Sequence, residues 1–133
     1  MKKSTIKTQK RFSVWLKTLC LVMLTGWAWS SQAQVALTAT AGTATGSFTT
    51  VNAAFTAINA GTHQGSIVIT VTGSTTEPAT PVPLLSSGTG SSIYTSIKIT
   101  PSGNATINGT VLASRGVLEF QGADNVTLDG DDP

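Results

Sequence analysis

An alternating pattern of apolar and polar residues predicts a strand in residues 66–72. Ile67, Ile69 and Val71 fall on one face of an extended chain, and the residues between them fall on the other. A β-branched face of this kind packs well against other strands. We therefore expect this segment to form part of the core.

A second pattern repeats at an interval of 21 residues. Residues 97–109 and 118–130 match in chemical type and position, and they end in NATING and NVTLDG. Repeats of about 20 residues with β-rich segments and Gly or Asn turns are typical of solenoids. The repeat therefore predicts an all-β fold in which these two segments stack as successive coils.

The 21-residue interval also predicts which side chains are neighbours. Lys98 and Glu119 point outward on adjacent parallel strands, which lie about 4.7–4.9 Å apart. The residues predicted to point inward beside them are Ile97, Ile99, Leu118 and Phe120. The same register places Asn104 on Asn125 and Asn108 on Asp129.

Residues 47–61 carry apolar side chains at helical spacing. The recurring apolar positions are Phe48, Val51, Phe55 and Ile58. Ser47 or Thr49 is the predicted N-cap, and Gly61 is the predicted end of the helix. We expect this amphipathic helix to cap the first coil, which otherwise leaves a row of backbone groups unpaired. A helix at a membrane surface is disfavoured because the segment has no basic residue.

Two other stretches have weaker patterns. Residues 34–45 are small and polar, and they predict a loop or an irregular first strand. Residues 75–92 contain three prolines, which exclude a central strand from much of the stretch. Leu84 and Leu85 are expected to return from this excursion to the core.

The N-terminus has the three-part form of a secretory signal peptide in residues 1–33. Residues 1–17 are basic, residues 18–29 are apolar, and Ser31 and Ala33 place small residues before a cut at Gln34. A retained membrane anchor is the rival interpretation. It is disfavoured because the apolar run is about 12 residues long and a bilayer needs roughly 20.

Charge and cysteine content narrow the possible partners. Six of the eight basic residues lie in residues 1–17, and the body retains two basic residues against six acids, a net charge of −4. This argues against nucleic acid, whose binding needs clustered Lys and Arg. Cys20 is the single cysteine and lies in the apolar run, so the exported chain has no disulfide or thiol chemistry. A membrane is expected as a partner only through the signal peptide during export.

Few residues are candidates for chemistry. Asp129, Asp131 and Asp132 form the one acidic cluster, which fits an exposed turn or, as a weak metal candidate, a calcium site. Their spacing does not match an EF-hand loop. His63 has no acid or cysteine nearby and is expected to be structural or solvated. Arg115 fits an outward charge, with the base of a lyase as the alternative. We predict no catalytic residue and no cofactor.

Several of these segments together resemble a known group of proteins. The signal peptide, the 48–61 helix, GTHQGSIVI at 61–69, TTE at 75–77 and DNVTLDG at 124–130 are similar to the start of large secreted proteins of Bacteroidetes. The resemblance implies a right-handed parallel β-helix of the pectin-lyase-like kind, and location outside the cell or at its surface. Many such proteins carry a C-terminal sorting domain for type IX secretion, which is absent here. Residues 34–133 are therefore expected to be an incomplete, truncated domain with an N-terminal cap and the first coils.

Two functions agree with these observations. The first is a non-catalytic scaffold or adhesin, secreted or at the cell surface, that binds glycans or cell-surface components. The second is a polysaccharide-active enzyme, a lyase or a glycoside hydrolase, whose active site lies in missing C-terminal coils. The sparse charge and the outer face rich in Thr, Ser and Asn favour the first.

Overall fold

The structure is a computed structural model, and it describes residues 32–110 and 112–130. The predicted signal peptide, residues 1–33, lies outside the described residues except for its last two positions. Within the described residues, no helix is long and apolar enough to cross a membrane. The elements are β1 Val35–Gly42, β2 Thr45–Phe48, α1 Val51–Asn59, β3 His63–Val71, β4 Thr75–Glu77, β5 Leu84–Leu85, β6 Tyr94–Pro101, β7 Ile107–Gly109, β8 Phe120–Gln121 and β9 Val126–Leu128.

The largest sheet has five strands in the order β2-β1-β3-β6-β9. Strand β1 is antiparallel to both β2 and β3, whereas β3, β6 and β9 are parallel to one another. Two further sheets each contain two parallel strands, β4 with β7 and β5 with β8. The described chain is therefore a small, mixed, sheet-dominated domain.

The side-chain alternation on β3 and β6 is confirmed. On β3 the predicted inward residues Ile67, Ile69 and Val71 are buried, and on β6 the same holds for Ile97 and Ile99. Lys98, which lies between the two isoleucines, is exposed. Because successive side chains on a strand point to opposite faces, these residues place one face of the sheet on the core and the other in solvent.

Helix α1 covers the core side of the sheet, and it is shorter than predicted. It begins at Val51 because Phe48 belongs to β2, and Thr50 is the N-cap instead of Ser47 or Thr49. The Thr50 side chain accepts a hydrogen bond from the Ala53 N–H at 3.1 Å. The helix buries Val51, Ala54, Phe55 and Ile58. Gly61 follows its C-terminus with a φ of +74°, a conformation that glycine adopts without strain.

The two weakly patterned stretches contain short strands. The N-terminal stretch predicted as a loop or irregular strand forms β1, which has a β-bulge between Ala39 and Ala41. The proline-containing excursion holds β4 and β5. Leu84 of β5 is fully buried, as predicted, and Leu85 is partly buried.

The prediction of a right-handed parallel β-helix with 21-residue coils is wrong. The largest sheet starts with two antiparallel strands, and the parallel pairs do not share one interval. Ile67 pairs with Ile97 at a separation of 30 residues, and Ile97 with Val126 at 29, whereas Leu84 pairs with Phe120 at 36. The loops between strands set these separations. Because the loops differ in length, no single interval relates the paired strands. The start of the second copy, β8, therefore pairs with β5, and only its later strand, β9, pairs with β6.

The predicted contact between Lys98 and Glu119 is also wrong. Lys98 of β6 lies beside Thr127 of β9. The Lys98 Nζ atom lies 2.8 Å from Asp129 Oδ2. Glu119 is instead bound by Arg115, four residues before it. The salt bridge of Lys98 follows from the 29-residue register, which brings the end of β9 next to β6.

Neither of the predicted contacts, Asn104 with Asn125 and Asn108 with Asp129, forms. Asn108 belongs to β7, which pairs with β4, whereas Asp129 follows β9 in a different sheet. The carbonyl oxygen of Asn125 accepts a hydrogen bond from the Ile97 N–H at 3.0 Å. Asn125 therefore lies next to β6 and not next to Asn104.

Candidate functional site

The outer face of the five-stranded sheet carries a lattice of hydroxyl side chains, which we call the hydroxyl face. The strand registers, together with the hydrogen bond from the Ser66 N–H to Thr40 Oγ1, place its outward residues in three rows. The rows are Ser47–Ala36–Thr70–Thr100, Thr45–Thr38–Val68–Lys98–Thr127 and Thr40–Ser66–Ser96. Nine of these twelve positions are Ser or Thr, so hydroxyls occupy most of the outward positions.

The geometry of the hydroxyl face follows from β-sheet dimensions. Neighbours within a row are separated by about 4.8 Å across the strands, and neighbouring rows by about 6.6 Å along them. Ser66 Oγ lies 3.0 Å from Ser96 Oγ, and the Ser66 N–H donates to Thr40 Oγ1 at 2.8 Å. These bonds fix one row, while Thr38 and Thr45 are exposed in the row beside it.

The hydroxyl face is almost without charge. Among the described strands of the five-stranded sheet, Lys98 is the one residue with a full charge. Its ammonium is paired with Asp129 at 2.8 Å, and both side chains remain partly open to solvent. The face therefore offers a ligand hydrogen-bond donors and acceptors but no concentrated charge.

The acidic cluster predicted from the sequence is only partly described. Asp129 lies at the end of β9 and pairs with Lys98, while Asp131 and Asp132 lie outside the described residues. Across residues 32–110 and 112–130, no group of three His, Cys, Asp or Glu side chains is placed to hold a metal ion. The calcium site therefore stays a prediction.

His63 is buried at the start of β3. Its Nδ1 lies 2.6 Å from the carbonyl oxygen of Thr43, so this nitrogen carries the proton and donates. The edge of its ring packs against Phe48 with the centroids 5.8 Å apart. These contacts tie β3 to the turn between β1 and β2, which is a structural role.

Arg115 is held in a bidentate ion pair by Glu119. Arg115 Nε and Nη2 donate to the two carboxylate oxygens at 2.6 and 2.5 Å, and Nη2 also donates to the Pro81 carbonyl oxygen at 3.1 Å. The hydrogen bond from Arg115 lowers the pKa of Glu119, and the same bond raises the pKa of Arg115. The pair fastens the loop before β8 to the loop before β5, so its guanidinium is already engaged.

Glu77 is the important residue that sequence reasoning missed. Its carboxylate is 3% exposed and lies at the N-terminus of α1. One oxygen accepts from the Val51 N–H at 3.0 Å, and the other accepts from the Asn52 N–H at 2.9 Å and from Asn52 Nδ2 at 2.8 Å. The available signal was its position, since no other Asp, Glu, Lys or Arg occurs between residues 32 and 97.

Asn52 extends this buried network to two loops. Its Oδ1 accepts a hydrogen bond from the Val82 N–H at 2.6 Å, and its Nδ2 also donates to the Val117 carbonyl oxygen at 3.3 Å. The side chain thus joins the helix to the loops before β5 and before β8. Because the polar atoms of this network bond one another, it stabilises the fold and leaves no acid free for a reaction there.

No family model, curated protein or solved structure matches this chain. The features of the described residues that bear on function are the hydroxyl face and the bonds that occupy Glu77, Glu119 and Asp129.

Proposed function

We propose that this protein is a non-catalytic, secreted or cell-surface protein of the adhesin type, and that it binds neutral glycans through the hydroxyl face. The observation that carries the proposal is the lattice of Ser and Thr side chains on one exposed side of the sheet. A rigid sheet presents these groups at fixed spacing, so a ligand binds without ordering a loop.

The chemistry of the face favours an uncharged, polyhydroxylated ligand. Each Ser or Thr hydroxyl donates one hydrogen bond and accepts others, as sugar hydroxyls do. An acidic polymer gains little here, because the Lys98 ammonium is paired with Asp129. Nucleic acid is disfavoured for the same reason, since its binding needs several unpaired cations.

The engagement of three acidic side chains, those of Glu77, Glu119 and Asp129, supports a non-catalytic role. Glycoside hydrolysis uses two carboxyl groups that flank a bound sugar about 5–9.5 Å apart. Glu77 is buried under a helix terminus, Glu119 is bound by Arg115, and Asp129 is bound by Lys98. Each of these carboxylates is thus held by a partner that stabilises the fold.

Export is the part of the proposal that rests on the sequence alone. The signal peptide predicts cleavage before Gln34 and release into the periplasm or beyond the cell. Expression of the whole chain in a bacterial host, followed by N-terminal sequencing of the exported protein, tests it. Gln34 is the expected first residue, and an intact N-terminus in the membrane fraction would contradict export.

Binding to polysaccharides tests the ligand. We expect the exported chain to be retarded in affinity gels that contain neutral polysaccharides, such as a β-glucan, and not in gels that contain polygalacturonate. The variant Thr70→Val with Thr100→Val removes two adjacent hydroxyls and keeps the side-chain shape. With about 1 kcal/mol for each hydrogen bond lost, this double variant should bind at least about tenfold more weakly.

A threonine on another sheet supplies the matched control. Thr76 is an exposed strand residue of β4, outside the hydroxyl face. Thr76→Val should leave binding unchanged, and an equal loss in both variants would contradict a site on the hydroxyl face. Release of reducing sugars from any polysaccharide would contradict the non-catalytic role and would favour the polysaccharide-active alternative.

A further inference from the structure

Strand β9 forms one edge of the five-stranded sheet, and its backbone is paired on one side. The Asn125 carbonyl oxygen accepts from the Ile97 N–H at 3.0 Å, and the Asp129 N–H donates to the Ile99 carbonyl oxygen at 2.9 Å. The backbone groups of alternate residues in a strand point to the same side. The N–H and C=O groups of Val126 and Leu128 therefore point away from β6, toward the open edge.

The apolar rows of the core also end at this edge. Ile69 and Ile99 lie in one row with Leu128, and the two isoleucines are buried, whereas Leu128 is 64% exposed. Val126 is partly buried and packs against the core. Among residues 32–110 and 112–130, nothing bonds to the outward backbone groups of Val126 and Leu128, so the same residues present apolar side chains and open backbone groups.

Within the described residues, the edge also lacks the features that normally prevent association. Edge strands are usually protected by Lys, Pro or a bulge, and β9 contains none of these. Strand β2, the opposite edge, is a poorer partner for β9 than β9 itself. Its inward residues are Gly46, which has no side chain to cover Leu128, and Phe48, which already packs on His63.

We infer that a second copy of this chain covers the edge, with the two β9 strands antiparallel about a two-fold axis at Thr127. In this register Val126 of each copy lies opposite Leu128 of the other. These are hydrogen-bonded pairs, because both residues point their backbone groups outward, so four new bonds satisfy every outward group of the two strands. Thr127 lies opposite Thr127 as the non-hydrogen-bonded pair between them.

The register is also self-complementary in side-chain chemistry. Val126 and Leu128 lie on the core face, so the apolar row of one copy continues into that of the other. Asp129 of each copy lies opposite Asn125 of the other and keeps its own Lys98, so like charges do not meet. The closed pair also extends the two hydroxyl faces into one ten-stranded surface. Closed two-fold pairs are the commonest homo-oligomers.

Sedimentation of the exported chain tests the inference. The contact uses three residues from each strand, so we expect a weak dimer that appears as the concentration is raised from about 10 μM to about 1 mM. Leu128→Lys places a charge in the apolar row and should abolish the dimer. A wild-type chain that stays monomeric throughout this range would overturn the inference.

A charge exchange at Thr127 tests the two-fold axis itself. Thr127→Lys and Thr127→Glu should each be monomeric, because each places like charges opposite each other in the dimer. An equimolar mixture should recover a dimer at least as tight as the wild type. Circular dichroism on each variant checks that the outward substitution leaves the fold intact. If either Thr127 variant fails to fold, Leu128→Ser replaces it as a test of whether the β9 contact forms the dimer.

Two other outcomes would contradict the register. The first is a dimer that forms equally well in every Thr127 variant and in Leu128→Lys. The second is a series of open-ended oligomers that Ser47→Pro abolishes and Leu128→Lys does not. The second outcome would mean that the copies associate through β2 and not through the antiparallel pairing of two β9 strands.

Discussion

Glu77 and Asn52 lie 25 residues apart in the chain, and the Glu77 carboxylate holds Asn52 by two hydrogen bonds. One comes from the backbone N–H at 2.9 Å and one from the side-chain amide at 2.8 Å. The carboxylate thus supplies the N-terminus of α1 with a negative charge that its own first turn lacks. This contact joins the helix to β4, and it explains how a charged side chain is buried in a domain with so few charges.

Glu77→Gln should strongly destabilise the protein. The amide removes the charge and turns one acceptor into a donor that faces other donors, which leaves buried N–H groups unsatisfied. We expect the free energy of unfolding to fall by about 2–4 kcal/mol, measured by urea denaturation. Glu119→Gln, in an ion pair at the surface, is the control and should change the urea midpoint far less. Equal effects of the two substitutions would contradict the structural role of Glu77.

Local structure was largely predictable from the sequence, because it depends on residues close together in the chain. Strand β9, Val126–Leu128, lies within the second copy of the β-rich repeat. The alternation in β3 and the helical spacing around Phe55 gave the right faces. The spacing of apolar residues within one strand or helix indicates which of its faces is buried, and it does so without information from distant parts of the chain.

Strand register was not predictable, because it depends on contacts between distant loops. The interval of 29 to 36 residues reflects the length of chain between strands, which the Arg115 bond to Pro81 and the Asn52 bond to Val82 hold in place. No periodicity marks such contacts. The likeness of residues 97–109 and 118–130 records similar turns and strand ends, and it does not record which strands lie side by side.

The observed 29-residue register and the 21-residue register expected from the repeat predict different partners for Lys98. They therefore predict different coupling energies between Lys98 and the two acidic residues Asp129 and Glu119. A double-mutant cycle between Lys98→Met and Asp129→Asn should give a coupling of about 0.2–1 kcal/mol, as is usual for a solvent-exposed pair. The same cycle with Glu119→Gln should give no coupling within error, because Glu119 is held by Arg115. Raising the salt concentration should weaken the first coupling. A coupling of Lys98 to Glu119 that exceeds its coupling to Asp129 would favour the 21-residue register.

Gly46 should not tolerate a side chain. A Cβ atom at this position would lie 2.7 Å from the Phe48 ring and 2.8 Å from His63 Nε2. Gly46→Ala should therefore force apart the edge-to-face contact of the two rings and lower the free energy of unfolding by about 1–3 kcal/mol. Gly130→Ala is the control, since nothing lies within 4 Å of its Cβ position. Thermal unfolding of the two variants measures the difference, and equal melting temperatures would show that the ring contact adapts freely.

Tyr94 should ionise at a higher pH than an exposed tyrosine. Burial raises its pKa above the ordinary value of 10.0, and the nearby charge of Asp124 raises it further. Its hydroxyl donates to the Leu85 carbonyl oxygen at 2.8 Å, and the side chain is 4% exposed. A raised pKa of an acid means that folding favours the neutral form, so this contribution to stability is complete below pH 10 and is lost as the pH rises through the folded-state value.

The single tyrosine of the chain makes this titration direct. The ultraviolet absorbance of the tyrosinate reports Tyr94 alone, and its midpoint should lie above that of the urea-unfolded chain. Asp124→Asn removes the repulsion and should move the midpoint down, but not to the unfolded value, because burial is the larger cause. If Asp124→Asn alone restored the unfolded midpoint, the hydroxyl would be solvated and the contact between β5 and β6 through Leu85 would be absent in solution.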